Sequence, residues 1–160
     1  MIELDIYRDE PRGLPQETSG ATVVGSCTDT ALDHCFEAKN AAMGPILNLP
    51  GLAMLYAEDA LIECSFPDPR DFNVRVHRKV QGLNEIQRFF EEQSEFIRYV
   101  VHSEKSRSVS GRTAIWEGVM SGIDGLSRDP VRYKAVFELE FDENDHVSRH
   151  SCKITLAERY

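Results

Sequence analysis

The C-terminal part of the chain carries four strand-like segments in succession, and this pattern limits the folds open to it. The segments read "RYVVHSEKSRSV", "RTAIWEGVMSGI", "VRYKAVFELEF" and "HVSRHSCKITLAERY". Each is rich in the β-branched and aromatic residues that strands favour. Turn-forming stretches at 110–111, 124–130 and 142–146 separate them and are short enough to join antiparallel neighbours. The pattern predicts a four-strand meander.

Helical periodicity precedes the meander at three places, 29–43, 47–57 and 83–97. A strand is predicted over 59–66, between the second and third helices, and it is followed by a loop with a short strand at its end. The first helix has one mostly apolar face, which consists of Leu32, Cys35, Phe36, Lys39 and Met43. Helices followed by a meander predict an α+β domain in which a curved antiparallel sheet carries helices on one face.

The length and net charge of the chain exclude some classes of function. The 160 residues fit one domain, and the net charge of −9 argues against nucleic acid and anionic membrane, which select basic patches. The basic stretch 75–80 is predicted to be a solvated loop or an interface. Residues 1–27 have no apolar signal core and are predicted to form an extended or flexible arm before a domain at 28–160. We therefore expect a cytoplasmic protein.

The four cysteines lack paired C-x-x-C spacing, so the sequence predicts reduced thiols. No metal and no cofactor is implied.

Two stretches, "LYAEDALIE" and "VFELEFDENDHVSRHS", together with the order of elements over 28–156, resemble the SnoaL-like polyketide cyclases. These share the cone-shaped fold of ketosteroid isomerase, limonene epoxide hydrolase and the nuclear transport factor family. The resemblance implies cofactor-independent isomerisation, ring closure or epoxide opening on a small apolar polyketide- or terpenoid-like ligand. The same fold also hosts non-catalytic modules, so a ligand-binding or assembly module is the alternative.

The resemblance also implies where the catalytic residues of these relatives would fall. The aspartate base of ketosteroid isomerase would fall on Cys64, its tyrosine near Cys35 and its protonated aspartate near Phe137. The arginine and two aspartates of the epoxide hydrolase would fall on Gly118, Met120 and Cys152. None of these positions keeps the catalytic residue type, so neither mechanism is expected in its known form.

Strand alternation predicts which side chains line the concave face. Inward positions in each strand are mostly apolar, as small-molecule sites usually are. The predicted ligand-binding residues are Ile62, Cys64, Phe66, Trp116, Met120, Phe137 and Cys152, with Tyr56 at the lip.

Three inward polar residues are candidates for proton chemistry. His150 shares its face with Cys152, and imidazole both takes and gives a proton near neutral pH. His102 is a candidate if it, rather than Val101, points inward. Tyr133 could donate to a carbonyl or a developing oxyanion. Each also has a structural reading, as a half-buried histidine bonded to a backbone carbonyl or as an ordinary strand tyrosine.

The outward residues of the last three strands mix charge with apolar groups and predict a homodimer through the convex face. They are Val119, Val136, Glu138, Glu140, Arg149 and Lys153.

Overall fold

The computed structural model of the protein describes residues 20–159, with side chains from 27 to 157. Its elements in chain order are α1 (Gly20–Ala42), α2 (Leu49–Ala53), β1 (Tyr56–Asp68), β2 (Asp71–Gln81), α3 (Leu83–Gln93), β3 (Ile97–Ser110), β4 (Thr113–Asp124), β5 (Pro130–Phe141) and β6 (Val147–Arg159). None of the described helices is long and apolar enough to cross a membrane.

The six strands form one curved sheet in the order β2-β1-β6-β5-β4-β3. The predicted meander is confirmed, since β3, β4, β5 and β6 pair antiparallel in succession. The expectation of a wholly antiparallel sheet is wrong at one place, because β1 pairs with β6 in parallel. That contact joins segments far apart in the chain, so no local turn signal reports its direction. The fold is α+β with a mixed sheet.

The helices pack on the sheet, with α1 against β3 and β4 and α3 against β1 and β2. The predicted second helix is too long, because the chain is already extended at Tyr56. The third helix ends at Gln93 and Ile97 already begins β3. At the N-terminal side, residues 20–27 of the predicted arm form the first turns of α1. Residues 1–19 lie outside the described residues, so the arm stays a prediction.

The basic stretch 75–80 lies in β2 rather than in a loop. β2 is an edge strand of the sheet, and charged side chains on an edge discourage pairing with another chain. The strand is longer than its sequence indicated because it pairs with β1 over most of its length.

The inward and outward assignments are confirmed at most positions. On β5, Ala135, Phe137 and Leu139 are buried, while the charged residues that alternate with the inward positions along the strand are exposed. On β3 the open choice is resolved, because His102 is 9% exposed and Val101 is 51% exposed.

Alternation along β6 predicts that Ser148 points inward together with His150, and the structure differs at this position. The β5–β6 register shifts between Glu140 and Phe141, whose partners are Arg149 and Val147. Val147 is fully buried as a result, and the serine hydroxyl donates to the backbone oxygen of Glu140. A one-residue bulge of this kind reverses the alternation locally.

Gly118 shapes the inner wall of the sheet. A side chain there would meet the Ser103 carbonyl oxygen at 2.2 Å and the Trp116 ring at 2.5 Å. The absence of a Cβ therefore lets the Trp116 ring lie over β4 and keeps β3 close.

Candidate active site

A buried lysine projects from α1 into the interior. Lys39 follows Cys35 and Phe36 by one helical turn, so helical geometry places it on the same inward face, and it is only 2% exposed. Its Nζ donates to the Tyr56 hydroxyl at 2.8 Å. Nζ also lies 5.2 Å from the centre of the Tyr56 ring and 4.9 Å from that of Phe90. No carboxylate of the described residues pairs with this amine.

The Tyr56 hydroxyl extends this contact to the sheet. It lies 3.0 Å from Nδ1 of His150, so one chain of hydrogen bonds joins α1, the first residue of β1 and the N-terminal part of β6. The other ring nitrogen, Nε2, ends the chain. Among the residues that the structure describes, it is the one buried side-chain nitrogen or oxygen without a hydrogen-bond partner.

Burial shifts the pKa of each of these three groups. Loss of solvent lowers the pKa of Lys39 from its usual 10.5 and raises the pKa of Tyr56 well above 10. Burial, and next the nearby Lys39 and His102, lower the pKa of His150 well below 6.5. At neutral pH the phenol and the imidazole are therefore both neutral.

The neutral state of the His150 ring and the direction of the hydrogen bonds from Lys39 through Tyr56 determine which ring nitrogen of His150 carries the proton. With Lys39 donating to the Tyr56 oxygen, the hydroxyl hydrogen is directed to Nδ1. A neutral ring has one N–H, and the hydrogen bond at one nitrogen decides which nitrogen carries it. His150 thus holds its proton on Nε2.

His102 is held by a different partner. Its backbone N–H donates to Oδ1 of Asn40 at 2.8 Å, which orients the amide, and Nδ1 lies 2.9 Å from the same oxygen. Because that oxygen can only accept, Nδ1 carries the proton. Burial, with a smaller contribution from Lys39, lowers the pKa of His102 to about 3.

Aromatic rings connect the two histidines. The Phe137 ring lies edge-on to both, at 4.9 Å from the His150 centroid and 5.9 Å from that of His102. Phe36 and Trp116 stack at 4.4 Å, and Trp116 lies 5.3 Å from Phe137. The polar groups therefore lie in an apolar, aromatic surrounding.

No protein-family model and no curated protein matches the chain in sequence. Solved structures do match in shape. A protein described as a SnoaL-like polyketide cyclase from Shewanella putrefaciens is 16% identical, with a TM-score of 0.61 over 80% of this chain and 89% of that one. The epoxide hydrolase/cyclase-like enzyme of pyran ring formation in salinomycin is 14% identical, with a TM-score of 0.61 over 82% and 92%. The chain has the SnoaL-like cone fold.

A third structure of this fold shows a bound small molecule. A hypothetical protein of ketosteroid isomerase-like fold from Catenulispora acidiphila, in complex with trimethylamine, is 16% identical. Its TM-score is 0.57 over 74% of this chain and 82% of that one. At these identities the likeness shows the SnoaL-like cone fold alone, and any activity has to be argued from the residues of this chain.

The cone brings several predicted site residues together. A continuous series of contacts joins Tyr56, His150, Phe137, His102 and Trp116. The other apolar candidates, Ile62, Phe66 and Met120, are buried in the same core.

Tyr133 lies at the other end of the inward face. It is four residues from Phe137 on β5, roughly 13 Å at the rise of a strand, and it faces Leu156 on β6. In the present geometry Tyr56, and not Tyr133, is the hydroxyl beside His150.

The prediction of reduced thiols is wrong for two of the four cysteines. Cys64 and Cys152 are direct partners in the β1–β6 register and form a disulfide with a Cα–Cα distance of 4.7 Å, within the range such bonds require. Cys27 and Cys35 are free. The two predicted ligand-binding cysteines therefore serve as a cross-link beside the interior.

Lys39 and Asn40 are site residues that the sequence did not predict. The signal for Lys39 was its position on the apolar face of the first helix, where a charged residue has to be buried. Asn40 had no comparable signal, since its role depends on the spacing between α1 and β3.

Among the cavities that the described residues border, four have volumes of 170 to 420 Å³, and none of these four is lined by His150, His102 or Tyr133. The largest lies mainly against outward residues of the sheet, among them Val136, Glu138 and Lys153. The smallest, at 170 Å³, borders Met43, one helical turn beyond Lys39.

Proposed function

We propose that the protein is a cofactor-independent enzyme that moves a proton to or from a small apolar, polyketide- or terpenoid-like intermediate, as in isomerisation, cyclisation or epoxide opening. His150 is the proton-transferring residue. The observation that carries the proposal is its buried Nε2, which ends the Lys39–Tyr56–His150 chain without a partner. A buried donor left unpaired costs about 1–3 kcal/mol, and an oxygen of a bound ligand would remove that cost.

The three residues can deliver a proton without forming an imidazolium. Nε2 of His150 gives its proton to the ligand oxygen while Nδ1 takes the hydroxyl proton of Tyr56. The Tyr56 oxygen in turn takes a proton from Lys39, which is left as a neutral amine. The N–H and O–H bonds broken and formed balance, and the ligand gains one proton. The reverse sequence removes a proton from the ligand and restores the ammonium.

Burial favours this relay. A charged ring is costly in an apolar site, and the relay leaves the ring neutral before and after transfer. Burial lowers the pKa of Lys39 toward neutral pH. A general acid works best when its pKa lies near the pH at which the enzyme operates. The surrounding Phe36, Trp116 and Phe137 rings favour a flat, apolar ligand.

The test is turnover of an unsaturated cyclic ketone and of a terpene epoxide by purified protein. We expect His150→Gln to lower kcat at least about a hundredfold, in the range of general acid–base catalysis. His34→Gln changes an exposed histidine and is the matched control. An unchanged kcat in His150→Gln would contradict the assignment.

A binding or assembly module is the second candidate, favoured by the position of the cavities. None of these four cavities is lined by His150, and in this second candidate the interior serves as a packed core. A ligand that raises the melting temperature with no product, equally in wild type and His150→Gln, would favour this reading.

We also propose a homodimer through the outward sheet face. Val136 and Ile115 are 40% and 45% exposed there, beside the 420 Å³ depression. Light scattering at micromolar concentration should give twice the chain mass, and Val136→Asp should shift it toward the monomer. A monomeric mass for the wild type would contradict the proposal.

A further inference from the structure

We infer that His102 and His150 hold opposite neutral tautomers and form a donor–acceptor pair for a planar ligand with a carbonyl-type acceptor and a hydroxyl-type donor. The inference rests on the proposed function for the claim that the ligand reacts there, and it names the chemical class of that ligand. Binding of such a ligand does not depend on turnover.

Asn40 makes His102 the acceptor of the pair. Its Oδ1 receives the His102 backbone N–H at 2.8 Å, and a backbone N–H only donates, so the amide oxygen must face it. The amide Nδ2 then lies 3.4 Å from the His102 backbone oxygen, which agrees with this orientation. Because the ring Nδ1 is 2.9 Å from the same oxygen, it must carry the proton. The neutral ring is left with a lone pair on Nε2.

Tyr56 makes His150 the donor. The Tyr56 oxygen receives the amine of Lys39 at 2.8 Å and has one hydrogen of its own to donate. His150 Nδ1, 3.0 Å away, accepts it. The single N–H of the ring is then on Nε2, which is buried and unpartnered.

The two rings border the same part of the core. Phe137 contacts both histidines edge-on, and Trp116 contacts His102 and stacks on Phe137. A flat ring system packing against these aromatics could present one oxygen to each histidine.

The charge of the residues around the two histidines limits the chemical class of the ligand further. Among the described residues, those that contact the two histidines by hydrogen bonds or ring contacts are aromatic or neutral, and Lys39 beyond the Tyr56 hydroxyl adds positive charge. A cationic ligand would therefore be disfavoured. Phenolic ketones and enolised diketones have the required acceptor, donor and planarity.

The tautomers can be measured directly. Long-range ¹H–¹⁵N correlation spectra of ¹⁵N-labelled protein distinguish a protonated ring nitrogen from one with a lone pair, and His102→Gln and His150→Gln assign the signals. We expect the proton on Nδ1 of His102 and on Nε2 of His150. Asn40→Leu should abolish the preference of His102 alone, and Tyr56→Phe that of His150 alone. The same tautomer in both wild-type rings would overturn the inference.

The ligand class is tested with three matched probes and one cation: 4-hydroxyacetophenone, acetophenone, 4-ethylphenol and benzyltrimethylammonium. We expect the first to shift the Nε2 signals of both histidines and to bind about tenfold more tightly than either monofunctional probe, the value of one further hydrogen bond. Tighter binding of the cation, or no perturbation of either histidine by any probe, would overturn the ligand class.

These results separate from the proposed function. If the two histidines hold opposite tautomers and bind the bifunctional probe but no substrate is turned over, this inference is supported and the proposed enzymatic function is contradicted. If turnover depends on His150 but the two rings hold the same tautomer, the proposed function is supported and this inference is contradicted.

Discussion

Lys39 is the residue whose chemistry depends most on its surroundings. Its amine is buried with one hydroxyl partner and two aromatic rings and with no described counter-ion. Replacing a buried charged group by an apolar one of similar shape is often neutral or stabilising. We therefore expect Lys39→Met to change the free energy of unfolding in urea at pH 7.5 by no more than about 1 kcal/mol, the value of its hydrogen bond to Tyr56, while activity is lost.

Lys39→Met has a direct comparison in Tyr56→Phe, which removes the same hydrogen bond and keeps the lysine. That variant leaves the amine and His150 both unpaired, so it should be the less stable of the two. A loss of about 3–5 kcal/mol in Lys39→Met is the cost of breaking a buried ion pair, and it would show that the amine has a counter-ion.

At the scale of elements, the β1–β6 contact joins the two parts of the sheet. The Cys64–Cys152 bond closes a loop of 88 residues across it, and a cross-link over a loop of that length is worth about 2–5 kcal/mol. We expect Cys152→Ser to lower the free energy of unfolding by that amount and Cys27→Ser, at an exposed free thiol, to leave it unchanged. Thiol titration of unreduced protein in denaturant should find the two free cysteines. Four reactive thiols would contradict the cross-link.

For the whole molecule, the buried histidines make stability depend on pH. Burial lowers the pKa of His102 to about 3 and the pKa of His150 well below 6.5, so below pH 6.5 the unfolded chain binds more protons than the folded one. The contribution of the two histidines to the free energy of unfolding is therefore fully present above about pH 6.5. It falls on acidification toward pH 3, by up to about 1.4 kcal/mol per pH unit for each histidine. Urea unfolding at a series of pH values measures this.

The matched control for that slope is again the exposed His34. His150→Leu should reduce the acid slope and His34→Gln should not. Equal slopes in wild type and His150→Leu would show that carboxylates, and not the buried histidine, govern the acid transition.

Much of the fold could be predicted from the sequence because its signals are local. Alternation assigned the inward residues of β5, and the turn residues between strands predicted the meander. Two local predictions were wrong because of longer-range contacts. The bulge at Ser148 reversed the alternation on β6, and pairing with β1 extended β2 beyond its sequence pattern.

The sequence by itself determined the α+β class, the four-strand meander and the inward positions of His150, Trp116 and Phe137, because period-two alternation and short turns are read from neighbouring residues. The cone fold was implied by the resemblance of two short stretches to the SnoaL-like polyketide cyclases. Only the tertiary structure decided that β1 runs parallel to β6, that Cys64 meets Cys152 and that Lys39, Tyr56 and His150 share hydrogen bonds. It also decided, through Asn40, which nitrogen of His102 carries the proton. These contacts join residues 17 to 94 positions apart. Their geometry is set by how α1 packs on the sheet and by the register of β1 on β6, and neither is encoded in any short stretch of the chain.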